Sequence, residues 1–156
     1  MQLPEAAELR VRVGVDIVGV ERVARLVIEH PGSLDVLFTR RELAYCLGKR
    51  RRYEHLAARF AAKEAVLKAF GTGLGQRMRW TDVEIVNGVT GRPRVCLYGE
   101  VAVWAQQRGL ADLDISLSHT ADLAIAQALV VWGGLSQGVS GQPSAGTALP
   151  QADNSP

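Results

Sequence analysis

Residues 60–69, FAAKEAVLKA, are the most informative stretch of this chain of 156 residues. They predict an alanine-rich helix in which Glu64 and Lys68 are four residues apart. Because four residues make about one helical turn, both side chains project from the same face. The small alanine side chains keep the surrounding surface narrow, so another backbone or a flat ligand can approach closely. We therefore expect a closely packed helix that carries a charged pair.

A second carboxylate and a histidine occur in two other segments. Asp16 lies in VGVDI, residues 13–17, which predicts a strand, and His119 follows the apolar segment ISLS, residues 115–118. Carboxylate oxygens are ligands that Mg²⁺ prefers, usually one or two of them together with phosphate and water oxygens. Asp16 and Glu64 therefore predict a divalent-metal site for a phosphorylated substrate, with Lys68 holding a phosphate or moving a proton. Two simpler interpretations remain open: a structural Glu64–Lys68 ion pair, and Asp16 as the cap of the next helix.

Composition fits one globular domain, with 47% apolar residues and a formal net charge of +2. Such a small net charge provides no overall field for nucleic acid. The run KRRR at residues 49–52 is locally basic and suits either a phosphate or an acidic partner. A solvated loop or helix end explains the same run equally well.

Location is predicted from three features of the sequence. Cys46 and Cys96 form no C-x-x-C pair, which argues against zinc and indicates a reduced, intracellular chain. No apolar run approaches the roughly 18 residues of a membrane span. The charged N-terminus does not resemble a signal peptide. We expect a cytoplasmic protein with no membrane partner.

Periodicity and turn residues predict alternating helices and strands. Strands are expected at residues 11–18, 81–86, 94–98, 114–117 and 123–131, and helices at 20–28, after an N-cap at Thr39, at 53–70 and at 100–107. Residues 1–10 are expected to be a leader and residues 11–132 the domain. The tail, residues 133–156, is rich in Gly, Ser, Gln and Pro and predicts disorder.

Four short segments resemble the signatures of one enzyme family. They are GVDIVGVERV at residues 14–23, RFAAKEAVLKA at 59–69, GRP at 91–93 and SLSH at 116–119. Their order and separations also match. Over about residues 11–132 the chain resembles the holo-[acyl-carrier-protein] synthases, which are small 4′-phosphopantetheinyl transferases. The resemblance implies an α+β fold in which an antiparallel sheet packs with helices, and an active site at a trimer interface.

The resemblance also implies a reaction and its catalytic residues. Such enzymes move 4′-phosphopantetheine from coenzyme A to a serine of an apo acyl carrier protein and release adenosine 3′,5′-bisphosphate. By position, Asp16 and Glu64 would ligate Mg²⁺ beside the pyrophosphate, and Lys68 would lie near the transferred phosphate. The acceptor of the serine proton is left open between a metal-held water, Glu64 and Asp16.

Coenzyme A contacts are implied at further motif positions. Arg59, Lys63 and His119 would surround the nucleotide end and its 3′-phosphate. The remaining positions expected to bind coenzyme A are Gly91, Arg92, Pro93, Ser118 and Thr120. Considered alone, His119 is better explained as a structural histidine, but its S-x-S-H context favours the role in binding.

The resemblance implies two protein partners. Arg22 and Arg25 match the helix on which the family docks its acidic carrier protein, although two solvent-facing arginines would have the same pattern. The family is typically a homotrimer with each active site built between neighbouring subunits. Carriers of fatty-acid, polyketide and peptide synthesis are all compatible with the sequence.

Two other classes of function were weighed against the transferase. A non-catalytic coenzyme A or carrier-protein binding module is disfavoured because Asp16, Glu64 and Lys68 are all present. A nucleic-acid binding protein that uses residues 49–52 is disfavoured by the small net charge and the absence of interleaved aromatic residues.

Overall fold

The computed structural model describes residues 8–133. The predicted tail therefore lies outside the described residues except for its first position, as do residues 1–7 of the predicted leader. The elements in chain order are β1 (Arg10–Gly19), α1 (Val20–Glu29), α2 (Ser33–Leu37), α3 (Arg40–Leu47), α4 (Arg52–Phe70), a 3₁₀ turn (Trp80–Asp82), β2 (Val83–Asn87), β3 (Pro93–Leu97), α5 (Gly99–Gln107), β4 (Leu110–His119) and β5 (Leu123–Trp132).

The fold is α+β, as predicted, and its sheets are antiparallel. Strands β1, β5 and β4 form one sheet in that order, and β2 pairs with β3 in a separate hairpin. Most predicted boundaries agree with the structure within one or two residues. Strand β4 is longer than the predicted 114–117, and the start of the strand predicted at 81–86 forms the 3₁₀ turn instead.

Helix α4 is the central element and packs on β1 and β5. It ends at Gly71, whose φ of +79° is a left-handed conformation that glycine adopts without strain. Its alanines at positions 57, 58, 61, 62, 65 and 69 are all buried. The facing residues of β5 are also small, namely Ala124, Ala126 and Ala128. Small residues on both elements let the helix lie close to the sheet.

Gly14 makes the closest approach between β1 and α4. A Cβ atom at Gly14 would lie 1.9 Å from the carbonyl oxygen of Ala65 and 2.6 Å from the amide nitrogen of Ala69. Only glycine therefore fits at this position. Because side chains alternate along a strand, Asp16 shares the face of Gly14 and points toward the same helix.

The opposite face of the three-stranded sheet is apolar and uncovered in the single chain. Val13 and Ile17 of β1 are 53% and 61% exposed. The other exposed apolar residues of this face are Val11, Val15, Leu123, Ile125 and Leu129. A contiguous patch of this kind is typical of a surface that another protein covers.

Helices α1 and α3 complete the domain around α4. Thr39 caps α3 as predicted: its hydroxyl accepts from the Glu42 amide, and the Glu42 carboxylate accepts from the Thr39 amide. Helix α1 buries Val20, Val23 and Val27, whereas Ile28 is exposed. Within residues 8–133, no helix is long and apolar enough to cross a membrane.

Candidate active site at the junction of β1 and α4

Asp16 and Lys68 form a direct ion pair between β1 and α4. Lys68 Nζ donates to Asp16 Oδ1 at 2.7 Å and to the carbonyl oxygen of Val15 at 3.1 Å. The hydrogen bond to Asp16 raises the pKa of Lys68. The Asp16 side chain is 15% exposed, while that of Lys68 is 53% exposed. The pair therefore lies at the mouth of the β1–α4 junction, where a ligand can reach it.

Glu64 lies one turn before Lys68 and close to Asp16. Burial raises the pKa of Glu64, and the negative charge of Asp16 raises it further, whereas Lys68 and Arg22 lower it. Two carboxylates so close together repel each other unless a cation lies between them. The prediction that Glu64 and Lys68 share a face with Asp16 is met by the geometry.

Two carboxylates alone make a sparse metal site. No group of three or more His, Cys, Asp and Glu side chains suited to a metal ion occurs in the part of the chain that the structure describes. A hard cation such as Mg²⁺ accepts one or two protein carboxylates when phosphate and water oxygens supply its other ligands. Asp16 and Glu64 therefore fit an ion that binds together with a phosphorylated ligand.

Lys63 is placed in the core, away from this surface. Its ammonium is fully buried, lies 2.8 Å from Glu42 Oε2, and donates to the carbonyl oxygens of Trp80 and Val83. Burial lowers the pKa of Lys63, and Glu42 opposes that effect. This placement argues against the predicted contact of Lys63 with a nucleotide. The residue instead ties α4 to α3 and β2.

Arg59 is buried against the ring of Tyr45. Its guanidinium carbon lies 4.1 Å from the ring centroid, and Nη2 donates to Asn87 Oδ1 at 3.0 Å. Lys49 approaches the same ring, with Nζ 4.6 Å from the centroid. Arg59 Nε is buried and has no hydrogen-bond partner among residues 8–133. The arrangement concentrates positive charge beside an aromatic ring, which suits a phosphorylated nucleotide.

His119 joins this basic cluster through the ring of His55, and it also lies close to Glu54. His119 Nδ1 lies 3.0 Å from Glu54 Oε2. The His55 ring meets the His119 ring edge to face, with 5.4 Å between centroids, and contacts Tyr45 in the same way. Burial lowers the pKa of His55, as do the charges of His119, Arg59 and Lys49. Burial and these charges therefore disfavour the protonated form of His55.

The predicted GRP segment lies on the far side of the sheet. Gly91 occupies a turn with φ of +80°, Pro93 begins β3, and Arg92 forms an ion pair with Asp114 of β4. Asp114 is paired with Leu129, and Leu129 with Val13, so all three share the exposed apolar face. Within one chain, Arg92 and Asp16 are therefore on opposite faces.

The remaining predicted residues near His119 divide between the two faces. Ser118 pairs with Ile125, which pairs with Ile17, so Ser118 belongs to the exposed apolar face. Thr120 lies in the β4–β5 turn, where its hydroxyl accepts from the amides of Asp122 and Leu123. Its side chain therefore has a structural partner already.

Arg22 and Arg25 line an apolar groove beside the carboxylates. Arg25 donates to Glu21 at 2.9 Å one turn earlier, and both side chains are largely exposed. The groove between α1 and α2 has a floor of apolar residues that includes Val18, Val23, Leu26, Leu37, Phe38 and Phe60. Phe60 is one turn before Glu64 on α4, so the groove leads toward the acidic pair.

Comparison with known proteins agrees with this arrangement. Residues 12–128 match the profile of the 4′-phosphopantetheinyl transferase superfamily. The holo-[acyl-carrier-protein] synthase of Moorella thermoacetica is 47% identical over 117 residues, 75% of this chain and 91% of that protein. The chain belongs to this family. The holo-[acyl-carrier-protein] synthase of Geobacter sulfurreducens is 49% identical over 119 residues, covering 76% of this chain and 93% of the relative.

Solved structures of holo-[acyl-carrier-protein] synthases share the fold. The Helicobacter pylori enzyme, in complex with coenzyme A, superposes with a TM-score of 0.66 at 28% identity, and covers 76% of this chain and 98% of its own. The resemblance drawn from four short motifs is thus confirmed at the level of the family.

Several residues of the candidate site had not been singled out from the sequence. Glu54, His55, Tyr45 and Asn87 all contact His119 or Arg59, directly or through one another. Glu54 and His55 precede the helical motif on α4, so the spacing from His55 to Arg59, one turn, was a usable signal. The approach of Glu54 to His119 depends on the sheet register, which the sequence did not specify.

Proposed function

We propose that this chain transfers 4′-phosphopantetheine from coenzyme A to a serine of an apo acyl carrier protein. The observation that carries the proposal is the convergence of Asp16, Glu64 and Lys68 at the β1–α4 junction. The names of its relatives and the coenzyme A complex of the Helicobacter pylori enzyme support the same substrates. Adenosine 3′,5′-bisphosphate would be the second product.

Asp16 and Glu64 would hold Mg²⁺. Both are hard oxygen donors, and the raised pKa of Glu64 reflects in part a repulsion from Asp16 that a cation between them would relieve. When bound, Mg²⁺ neutralises charge on the pyrophosphate and so favours attack at phosphorus. The transfer is therefore expected to depend on the metal.

Lys68 would act on the phosphate that is transferred. Its ammonium donates to Asp16 and to the carbonyl oxygen of Val15, and its side chain is still more than half exposed, so it can reach a ligand at the same site. Its positive charge would stabilise the charge that develops on the phosphate oxygens. The serine proton is left to Glu64, to Asp16 or to a water held at the site.

The basic cluster around Tyr45 would bind the nucleotide end of coenzyme A. Arg59 and His119 supply groups for its 3′-phosphate, and Lys49 adds charge at the same ring. Glu54 and Glu64 are ten residues apart on α4, a rise of about 15 Å. We take this separation between the basic cluster and the metal ligands of one chain as support for a site shared between two subunits.

A homotrimer would bring these parts together. The exposed apolar face of β1 and β5 needs a cover, and the Arg92 turn lies beside that face. Packing this face against a neighbouring copy would bury the apolar residues. It would also place residues 91–93 near the β1–α4 junction of that copy. The same packing would bring Ser118, on the covered face, close to the neighbour.

The carrier protein would dock on α1. Arg22 and Arg25 present positive charge at the rim of the apolar groove that leads to Glu64. An acidic carrier helix would complement them, and such complementarity mainly raises the encounter rate and selectivity. A carrier bound at Arg22 and Arg25 would therefore lie close to the proposed metal ligands.

The proposal is tested by intact mass spectrometry of the carrier. Several apo carrier proteins would be incubated with the chain, coenzyme A and Mg²⁺, and in parallel with Glu64→Gln and with a chelator. The expected result is a gain of one phosphopantetheine with the wild-type chain alone. Coenzyme A binding without any transfer to any carrier would support the non-catalytic binding module instead.

A further inference from the structure

Asn87, the last residue of β2, holds the buried guanidinium of Arg59 by a side-chain hydrogen bond. Arg59 Nη2 donates to Asn87 Oδ1 at 3.0 Å, across 28 positions of the chain. Arg59 is 3% exposed, whereas Asn87 is an exposed residue outside the four family segments. A buried charge is costly unless it has defined hydrogen-bond partners. The exposed amide of Asn87 supplies one such partner.

Asn87 is itself held by Tyr45 of α3. Asn87 Nδ2 donates to the Tyr45 hydroxyl oxygen at 3.1 Å, and the Tyr45 ring centroid lies 4.1 Å from the guanidinium carbon of Arg59. Because a guanidinium can only donate, the amide turns its oxygen toward Arg59 and its NH₂ group toward Tyr45. The three side chains therefore form a closed set of contacts that joins α3, α4 and β2 within one subunit.

Arg59 keeps N–H donors that this set of contacts does not use. A guanidinium has several N–H groups, of which Asn87 accepts from Nη2. The Nε atom is buried and has no partner in the described part of the chain. A buried donor without an acceptor is costly. Arg59 is thus held in place while part of its hydrogen-bonding capacity remains free for an anion.

The acceptor at position 87 is neutral, so the positive charge of Arg59 is preserved. Burial lowers the pKa of His55, and the charge of Arg59 is one of those that lower it further. A carboxylate at position 87 would hold the guanidinium more tightly, but it would offset this charge and repel a phosphate. An amide fixes the guanidinium without that effect.

We propose that Asn87 is a positioning residue, a neutral acceptor that orients the Arg59 guanidinium so that its unused N–H donors face the 3′-phosphate of coenzyme A. This inference rests on the proposed function, because that function supplies the anion. An orientation that is fixed before binding reduces the entropy lost when the ligand binds. Asn87 therefore acts on affinity for the 3′-phosphate, and the chemical step at Asp16 and Glu64 does not depend on it.

Two variants of Asn87 separate this role from a structural one. Asn87→Ala removes the acceptor, whereas Asn87→Asp keeps an acceptor and adds a negative charge. The matched controls are Gln106→Ala and Gln106→Glu, which make the same kinds of change at an exposed amide of α5. In ¹⁵N-arginine spectra of the free protein, we expect slow rotation of the Arg59 guanidinium in wild type and Asn87→Asp and faster rotation in Asn87→Ala. Arg59→Lys assigns the signal.

Transfer kinetics give the second measurement. We expect Asn87→Ala to raise KM for coenzyme A about fivefold, equivalent to about 1 kcal/mol, with kcat nearly unchanged. Asn87→Asp should raise KM about tenfold although its guanidinium is held, because the added carboxylate repels the phosphate. The Kd of 3′-dephospho-coenzyme A, measured by calorimetry, should not change in either variant. Both Gln106 variants should behave like wild type.

Thermal unfolding gives the readout that a merely structural role would not produce. Asn87→Asp should melt no lower than wild type, because a charge-assisted hydrogen bond to Arg59 replaces a neutral one. A variant that keeps its stability and loses affinity for coenzyme A shows that the acceptor must be neutral for binding.

The outcomes distinguish this inference from the proposed function. If the wild-type chain transfers nothing, the proposed function and the anion of Arg59 both fail, and the spectra still decide whether Asn87 orients the guanidinium. If the wild-type chain is active but Asn87→Ala leaves either the rotation or the KM for coenzyme A unchanged, the positioning role is wrong. A wild-type KM in Asn87→Asp, or equal losses of affinity for coenzyme A and its dephospho form, would also overturn it.

Discussion

Gly14 of β1 lies so close to Ala65 of α4 that a Cβ atom at Gly14 would be 1.9 Å from the Ala65 carbonyl oxygen. The contact gives a physical reason for the spacing of Gly14 and Asp16. Glycine lets the strand meet the helix, and two residues later the Asp16 carboxylate reaches Lys68 at 2.7 Å. Packing and chemistry thus depend on the same approach of two backbones.

Replacing Gly14 by alanine should therefore damage both stability and the site. The clash is with backbone atoms, which no side-chain rotation can relieve. We therefore expect the free energy of unfolding to fall by about 3 kcal/mol or more. Thermal unfolding of Gly14→Ala and Gly32→Ala measures the difference. Gly32 has open space around its Cβ position and a φ of −62°, so its variant should unfold like wild type. Equal melting temperatures for the two variants would contradict the account.

Lys63 and Lys68, on the same helix, should respond in opposite ways to methionine. Lys63→Met leaves the buried Glu42 carboxylate without its ammonium, and breaking such a pair costs about 3–5 kcal/mol. Lys68→Met removes an exposed group, so its stability should change little while transfer falls by about 100-fold or more. Melting curves and transfer rates of both variants provide the check. If Lys63→Met were as stable as wild type but bound coenzyme A less tightly, the result would support the predicted contact between Lys63 and the nucleotide.

Glu64→Gln should abolish transfer without unfolding the chain. The amide preserves the size of a partly exposed side chain but is a much weaker metal ligand than the carboxylate. Glu100→Gln on α5, also a glutamate on a helix surface, is the matched control and should retain full activity. Wild-type turnover by Glu64→Gln, measured under saturating Mg²⁺ and coenzyme A, would remove Glu64 from the mechanism.

Charge reversal on α1 should act mainly on the carrier protein. Arg22→Glu is expected to raise KM for the carrier about tenfold or more and to change KM for coenzyme A far less, because a rim charge mainly governs encounter. The wild-type carrier dependence should also weaken with added salt. Arg77→Glu, which alters an exposed arginine after the glycine-rich loop, tests for a general effect of charge. The docking role would be refuted by an unchanged carrier dependence in Arg22→Glu.

A lysine on the exposed sheet face should disrupt self-association. Ile17 is 61% exposed in the single chain and lies on the apolar face of β1. Ile17→Lys would place a charge in the proposed subunit interface, whereas Val36→Lys alters an equally exposed valine, at 62%, on α2. Light scattering after gel filtration should give a trimer for wild type and Val36→Lys and a smaller species for Ile17→Lys. A wild-type monomer that is fully active would contradict a shared site.

The sequence predicted most elements because their local signals agree. The α3 cap at Thr39, the end of α4 at Gly71 and the alternation in β5 each depend on neighbouring residues only.

The candidate site was predictable only as far as its motifs reach. Asp16 lies near Glu64 and Lys68 because Gly14 and the alanines of α4 let β1 approach the helix closely. The burial of Lys63 could not be predicted because its motif position gives no sign of Glu42, which lies on another helix. Glu54 was missed for a related reason: its contact with His119 depends on where β4 ends beside α4.

The most direct test of the central claim is anomalous diffraction from crystals grown with Mn²⁺ in place of Mg²⁺ and with coenzyme A. The account predicts one anomalous peak coordinated by carboxylate oxygens of both Asp16 and Glu64 and by pyrophosphate oxygens, with Lys68 beside the phosphate. A metal bound elsewhere, or pyrophosphate bound away from these two carboxylates, would contradict it.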